Sequence, residues 1–345
     1  MKAKRLLNLV GDRLHTLPLV VLYLTDGCNS RCVTCDIWRS PRRNMRREII
    51  EQVVDACAEL QIRWVLLSGG EAMQHPHWPQ IGRRLRENGA RVMLLTNGLL
   101  LRKQADDLVG SVDEVIVSLD GGTAATYEAI RGVDAFDLVL DGIRAAKQYG
   151  LPVTTRTTVQ RMNFREMPQI LDVAVEAGVD RVSFLAVDVS SEYAFGPRFG
   201  GDDLTVLPIQ TAALNPTEVD ELSSMIDTLE ARLNNGGTTE HLAESPAKLR
   251  RILVEYFRAL NGEGVFPRPR CNAPHFSTVI EVDGTLRPCY FLPSYGRLDE
   301  AQGLKSALNL GTAQALRLAY RVGERAECER CVCPLYKGPR ALLEM

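Results

Sequence analysis

Between residues 19 and 187, short runs of aliphatic and β-branched residues alternate with stretches whose apolar positions recur every three to four residues. The runs predict strands at 19–25, 63–68, 91–96, 114–119, 153–159 and 181–187, and the periodic stretches predict helices near 46–60, 77–88, 99–109, 136–149 and 165–177. Regular strand-then-helix alternation predicts right-handed βαβ units that share a parallel sheet. Six such units predict an α/β fold built on a partial (β/α)6 TIM-like barrel, open on one side. Ahead of it, Leu6, Leu7, Val10, Leu14 and Leu17 share one helical face. That face predicts a helix closing the barrel bottom, with a membrane-surface helix as the alternative.

The rhythm lapses after residue 187 into loops around Gly196-Pro197 and Gly200-Gly201. Asn215-Pro216 then reads as a cap and first-turn proline before a helix at 217–233, and a second helix follows at 247–260. A hairpin is predicted from 277–282 and 285–290 around Asp283-Gly284. The pattern divides the chain into a barrel core (1–187), a helical linker lining the open side (188–270) and a small C-terminal unit (271–345).

Composition narrows the class. With 345 residues, 45% of them apolar and 24% charged, the chain can bury a large core, and a net charge of −2 argues against a dedicated nucleic-acid binder. No apolar stretch is long enough to cross a bilayer as a helix. Nine cysteines, clustered toward both ends, fit metal ligation in a reducing, cytoplasmic setting better than a disulfide framework.

Three of these cysteines, Cys28, Cys32 and Cys35, follow the first predicted strand with C-x3-C-x2-C spacing. Three thiolates on one short loop can hold three irons of a cubane and leave the fourth open, whereas a structural zinc needs another nearby ligand. The nearest histidine is His15, beyond the strand. A zinc or redox-thiol loop is the alternative. Polar groups recur at the carboxyl ends of the later strands, where barrel chemistry sits: Gly69, Gly70 and Glu71, then Asn97, Ser118 and Arg156. As turn formers, the last three could equally satisfy strand-end backbone.

On these motifs the chain resembles the radical S-adenosylmethionine (radical SAM) superfamily. The resemblance implies a 4Fe-4S cluster on Cys28, Cys32 and Cys35 whose open iron is chelated by S-adenosyl-L-methionine. Reductive cleavage would then yield a 5'-deoxyadenosyl radical that abstracts hydrogen from a substrate. It implies Gly69, Gly70 and Glu71 as binders of the cofactor's amino group, and Asn97, Ser118 and Arg156 as binders of its ribose and carboxylate. One departure is Thr34, where the family usually carries an aromatic residue, so adenine packing is expected from the backbone at 184–187. Beyond the loop, Arg39, Arg42, Arg43, Arg46 and Arg47 favour an anionic substrate or an acidic redox partner, against the plainer reading of a solvated cationic loop.

The C-terminal cysteines form a second set. Cys271, twelve residues, Gly284, four residues and Cys289 resemble the opening of a SPASM domain, and Cys328 and Cys331 resemble the start of its closing half. Without the later SPASM cysteines, the set is more similar to the shorter twitch variety, which implies one auxiliary 4Fe-4S cluster on Cys271, Cys289, Cys328 and Cys331. Cys333 is left to replace Cys331, to ligate in a reduced form, or to act as a catalytic hydrogen-donating thiol. A four-cysteine zinc ribbon is the alternative. Cys57 reads as a core thiol.

The expected enzyme oxidises, epimerises or rearranges a small molecule such as an alcohol, sugar or lipid precursor, with electron transfer through the auxiliary cluster. A low-potential donor such as flavodoxin or ferredoxin would supply it. Only about 18 residues precede the first strand, too few for the recognition domain of many peptide maturases. The alternatives are such a maturase, or a non-catalytic iron-sulfur or zinc protein. Asp188, Glu192, Tyr193 and Arg198 are candidate substrate contacts.

Overall fold

The computed structural model describes residues 3–195, 209–234, 238–267, 269–336 and 338. Arg198 and the glycines at 196, 200 and 201 lie outside them. In order, the chain runs α1 (Ala3–Val10), β1 (Leu19–Thr25), α2 (Arg47–Glu59), β2 (Trp64–Gly69), α3 (Trp78–Glu87), β3 (Arg91–Thr96), α4 (Ala105–Leu108) and β4 (Glu114–Ser118). Then come α5 (Ala124–Arg131), α6 (Phe136–Gln148), β5 (Val153–Val159), α7 (Met167–Glu176), β6 (Arg181–Ala186) and α8 (Pro216–Asn234). The helix expected at 247–260 is continuous but changes pitch: α9 (Pro246–Leu249), a π-helical turn over Arg250–Glu255 and α10 (Tyr256–Leu260). Finally β7 (Ser277–Ile280), β8 (Thr285–Arg287), β9 (Gly296–Arg297), α11 (Leu304–Ala307) and α12 (Gly311–Arg321) close the chain.

The six predicted strands form, within a residue at each end, and pair in parallel in sequential order. One face of each is sealed and the other half covered. In β4, Val115 and Val117 are buried while Ile116 and Ser118 are partly exposed; in β5, Thr155 and Thr157 are buried while Arg156 and Thr158 are not. Such alternation means that the helix side is packed and the barrel interior stays accessible, as an open barrel requires.

The hairpin is not a separate layer. Strand β7 pairs in parallel with β1, from Leu19 opposite Ser277 to Leu22 opposite Ile280, giving a nine-stranded sheet ordered β6-β5-β4-β3-β2-β1-β7-β8-β9. Pairing there satisfies an edge of β1 that would otherwise expose its backbone groups. The hairpin is shorter than predicted because Pro288, without an N–H, ends β8 at Arg287, and its carbonyl is taken by the Ser277 hydroxyl instead.

Helix α5 was absent from the predicted set. Its signals are nonetheless present: the Thr123 hydroxyl caps it by accepting from Thr126 N–H, and Gly132 ends it at φ +68°. Conversely, the helix predicted at 99–109 shrinks to α4.

Helix α1 docks at the foot of the sheet, through Asn8 donating to the Thr16 and His275 carbonyls at 2.8 and 2.9 Å. Next to it, Arg317 is 1% exposed and donates to three carbonyls, Pro274 at 3.0 Å, Asp12 at 2.6 Å and Leu308 at 2.5 Å. One guanidinium thus ties the N-terminal segment to the approach to β7. No described helix is long and apolar enough to cross a membrane.

Arg317→Met would strand those carbonyls in the interior, where each unmet acceptor costs about 1–3 kcal/mol. The expected loss is about 3 kcal/mol or more, read as a fall in the urea midpoint. Cys57 is 2% exposed, burial pushes its thiol up to about 11, and it donates to the Val53 carbonyl. In the metal-free native chain it should escape iodoacetamide at neutral pH until denaturant is added.

Candidate active site at the carboxyl ends of the strands

The loop bearing Cys28, Cys32 and Cys35 leaves β1 and is fixed from several sides. At its root, Gly70 N–H donates to the Thr25 carbonyl at 2.7 Å and Glu71 N–H to the Gly27 carbonyl at 2.8 Å. A Cβ on Gly69, whose φ is +127°, would stand 2.4 Å from the Thr25 oxygen, and one on Gly70 2.4 Å from the Gly27 oxygen. The paired glycines are therefore required by the fold itself, whatever ligand approaches them. From β3, the Asn97 amide donates to Asn29 Oδ1 at 2.8 Å and Ser30 Oγ at 3.1 Å, and lies 3.8 Å from Cys28 Sγ. From α5, the Arg131 and Ile130 carbonyls accept the N–H groups of Arg31 and Val33, each at 3.0 Å.

Glu71 is turned into the protein. Its carboxylate is 1% exposed, and it accepts from Met73 N–H, the Thr96 hydroxyl and Asn97 N–H at 3.1, 2.8 and 2.7 Å. Burial raises its pKa, and the three donors work against that. It braces β2 against β3. Ser118 and Arg156 are opposite one another in the β4–β5 register on the accessible face, and Arg156 Nε is buried without a hydrogen-bond partner. The β6 end offers less free backbone than expected: Phe184 N–H goes to Glu244, Val187 N–H to Val159, and the Val187 carbonyl accepts from Tyr256.

Four of the five arginines after the loop are engaged within the chain. Arg39 pairs with Asp36, Arg43 with Asp26 and Arg47 with Glu51, while Arg42 reaches the Gln74 carbonyl. Asp188 is also turned to its own loop, accepting from Ser190 and Ser191 N–H.

The C-terminal cysteines gather beside the barrel mouth. Burial pushes the Cys289 thiol up to about 12, with Cys271 and Cys328 adding to the effect, and burial raises Cys331, with the neighbouring Cys333 adding to it. Burial likewise pushes Cys28 up to about 11. Protons on these thiols must be displaced by any metal that binds. Among the described residues, no three His, Cys, Asp or Glu side chains converge on a single ion. A cubane asks for something else, one thiolate per iron with the sulfurs spread apart, and both donor sets have the composition for it.

Two residues that the motifs did not mark lie between the sets. Tyr23 of β1 and Tyr290 have ring centroids 5.8 Å apart; Tyr23 faces Cys35, and Tyr290 faces Cys333, Arg156 and Ser68. They border a cavity of about 270 Å³ that also touches Arg43, Tyr193, Glu281 and Arg287. A larger groove of about 650 Å³ sits at the opposite, amino-terminal end of β3, far from any cysteine motif. Adjacency to Cys289 was the available signal for Tyr290. For Tyr23 there was only its inward position on an apolar strand.

Residues 22–174 match the radical SAM superfamily. With these residues the chain forms a radical SAM domain. Its radical SAM core is 31% identical over 166 residues to an AdoMet-dependent heme synthase of Methanosarcina barkeri, covering 46% of this chain and 48% of the relative. It is 34% identical over 167 residues to a probable GTP 3',8-cyclase of Saccharolobus islandicus, covering 47% and 54%. The match thus spans about half the length of these curated relatives. Almost the whole chain shares a fold with Streptococcus suis SuiB bound to precursor peptide SuiA (TM-score 0.68, 14% identity, 97% of this chain and 75% of that one). It also shares one with native anSMEcpe carrying AdoMet and a Cp18Cys peptide (TM-score 0.63, 18% identity, 92% and 89%). A domain of this family implies S-adenosylmethionine and a 4Fe-4S cluster.

Gly70→Ala should displace the cysteine loop and cost about 2 kcal/mol, in the range of overpacked sites. Iron retained after anaerobic reconstitution should fall. Gly311→Ala, with open space around it, should leave stability and iron unchanged.

Proposed function

We propose that this enzyme cleaves S-adenosylmethionine reductively and abstracts hydrogen from a small organic molecule seated in the cavity beside Tyr23 and Tyr290. The observation that carries the reading is the cysteine loop itself, clamped by β2, β3 and α5 with that cavity next to it. Cys28, Cys32 and Cys35 would hold the cluster. When bound, it supplies the low-potential electron that splits S-adenosylmethionine into methionine and a 5'-deoxyadenosyl radical.

The chain's own groups divide the cofactor between them. With the Glu71 carboxylate committed to β3, the backbone carbonyls of Gly69, Gly70 and Glu71 are left to take the amino group. Arg156, whose Nε lacks a partner, takes the carboxylate, and Ser118 beside it the ribose. Asn97 acts at one remove, by fixing the loop. Cys271, Cys289, Cys328 and Cys331 hold an auxiliary 4Fe-4S cluster that exchanges an electron with the substrate, in a unit beginning at residue 271. Cys333, facing Tyr290, is the thiol best placed to meet substrate. A flavodoxin or ferredoxin is the proposed donor.

A peptide side chain is the second reading, supported by the peptides bound to the two solved relatives of this fold.

Iron-replete, dithionite-reduced protein should form 5'-deoxyadenosine from S-adenosylmethionine. Alanine at Cys28, Cys32 or Cys35 should abolish it, while Cys271→Ala/Cys289→Ala should lose about half the iron yet keep uncoupled cleavage. Iron-replete wild type that makes no 5'-deoxyadenosine would overturn the reading. Deuterium transfer into 5'-deoxyadenosine from small molecules, or from a peptide, then decides between the substrate classes.

A further inference from the structure

We infer that Arg131 is a tuning residue for the iron-sulfur site: its guanidinium, buried between Cys32 and Asp120, holds the reduction potential up, and Asp120 limits how far. The inference rests on the proposed cluster at Cys28, Cys32 and Cys35.

Arg131 is the last residue of α5, and its backbone and side chain have separable roles. The backbone carbonyl holds the loop through Arg31 N–H, and the following Gly132 packs so tightly that a Cβ would stand 2.5 Å from the Arg31 oxygen. The side chain runs inward, only 12% exposed, to an ion pair of 3.2 Å with Asp120, itself 5% exposed. Asp120 is fixed in turn by Thr158 N–H at 2.7 Å. Arg131 Nε is buried with no hydrogen-bond partner, and the guanidinium faces the Cys32 sulfur. Burial works against the charge on Arg131, and Cys32, Asp120, Tyr127 and Cys28 around it more than offset that. A lone Arg–Asp brace would not need a sulfur on its other side.

Reducing a thiolate-bound cluster adds one negative charge to the site. In a poorly screened interior, a fixed cation beside a ligand sulfur favours that charge, and a carboxylate behind the cation opposes it. The two side chains must therefore shift the potential in opposite directions, which a purely structural pair would not do.

The test is an EPR-monitored redox titration of the reconstituted full chain, following the signal that changes when S-adenosylmethionine is added, so that a second cluster does not confuse it. Arg131→Met should lower the reduced-to-oxidised ratio at fixed potential about tenfold, a shift of about 59 mV. Asp120→Asn, which keeps the acceptor for Thr158, should raise the ratio by a similar factor. Arg131→Lys should restore most of the loss. Should Arg131→Met fail to fold, the upward shift in Asp120→Asn and the near-normal Arg131→Lys still decide the matter. Unshifted potentials, or shifts of the same sign, overturn the inference while leaving the cluster in place. A wild type that takes up no cluster overturns the underlying reading, and this inference with it.

Discussion

A single close approach of backbone to backbone governs this site. Where the loop after β1 crosses the end of β2, the carbonyls of Thr25 and Gly27 lie so near Gly69 and Gly70 that no side chain fits between them. Parallel strands sit at a fixed spacing, so the loop can return over the neighbouring strand only on a glycine pair. Everything downstream inherits its coordinates from that crossing. Asn97 finds Asn29 and Ser30, and α5 finds Arg31 and Val33, because the loop has already been turned toward them.

The polar residues at the strand ends separate into two kinds. Glu71, Asn97 and Asp120 have their hydrogen-bonding capacity directed at the protein, across β2–β3, β3 to the loop, and β4–β5 respectively. Ser118 and Arg156 face the half-covered side. Buried polar groups must be paired. A barrel that gathers so many at one rim therefore needs some of them as scaffold before any can be offered to a ligand.

The six core strands were legible because each is a short run of aliphatic and β-branched residues, a local signal independent of its neighbours. The cysteine spacing was legible for a similar reason, being local. What escaped depends on distant partners. In the arginine run, Asp36 and Glu51 are partners within four residues, but the partners of Arg42 and Arg43, the Gln74 carbonyl and Asp26, are 32 and 17 residues away. Nothing in the Glu71 segment reveals that Thr96 and Asn97 will take its oxygens. Strand β7 read as half of an isolated hairpin, since its second neighbour, β1, is more than two hundred residues away. Helix α5 is the exception: Thr123 and Gly132 marked both ends, but eight residues between β4 and a longer helix were read as connection.

The pairing of β7 with β1 has a further consequence. One continuous sheet carries both the strand before Cys28 and the strand before Cys289, so the two loops leave a common framework. Variation in what such a protein acts upon is then left to the segments that leave the sheet, which can be rewritten without disturbing the framework beneath.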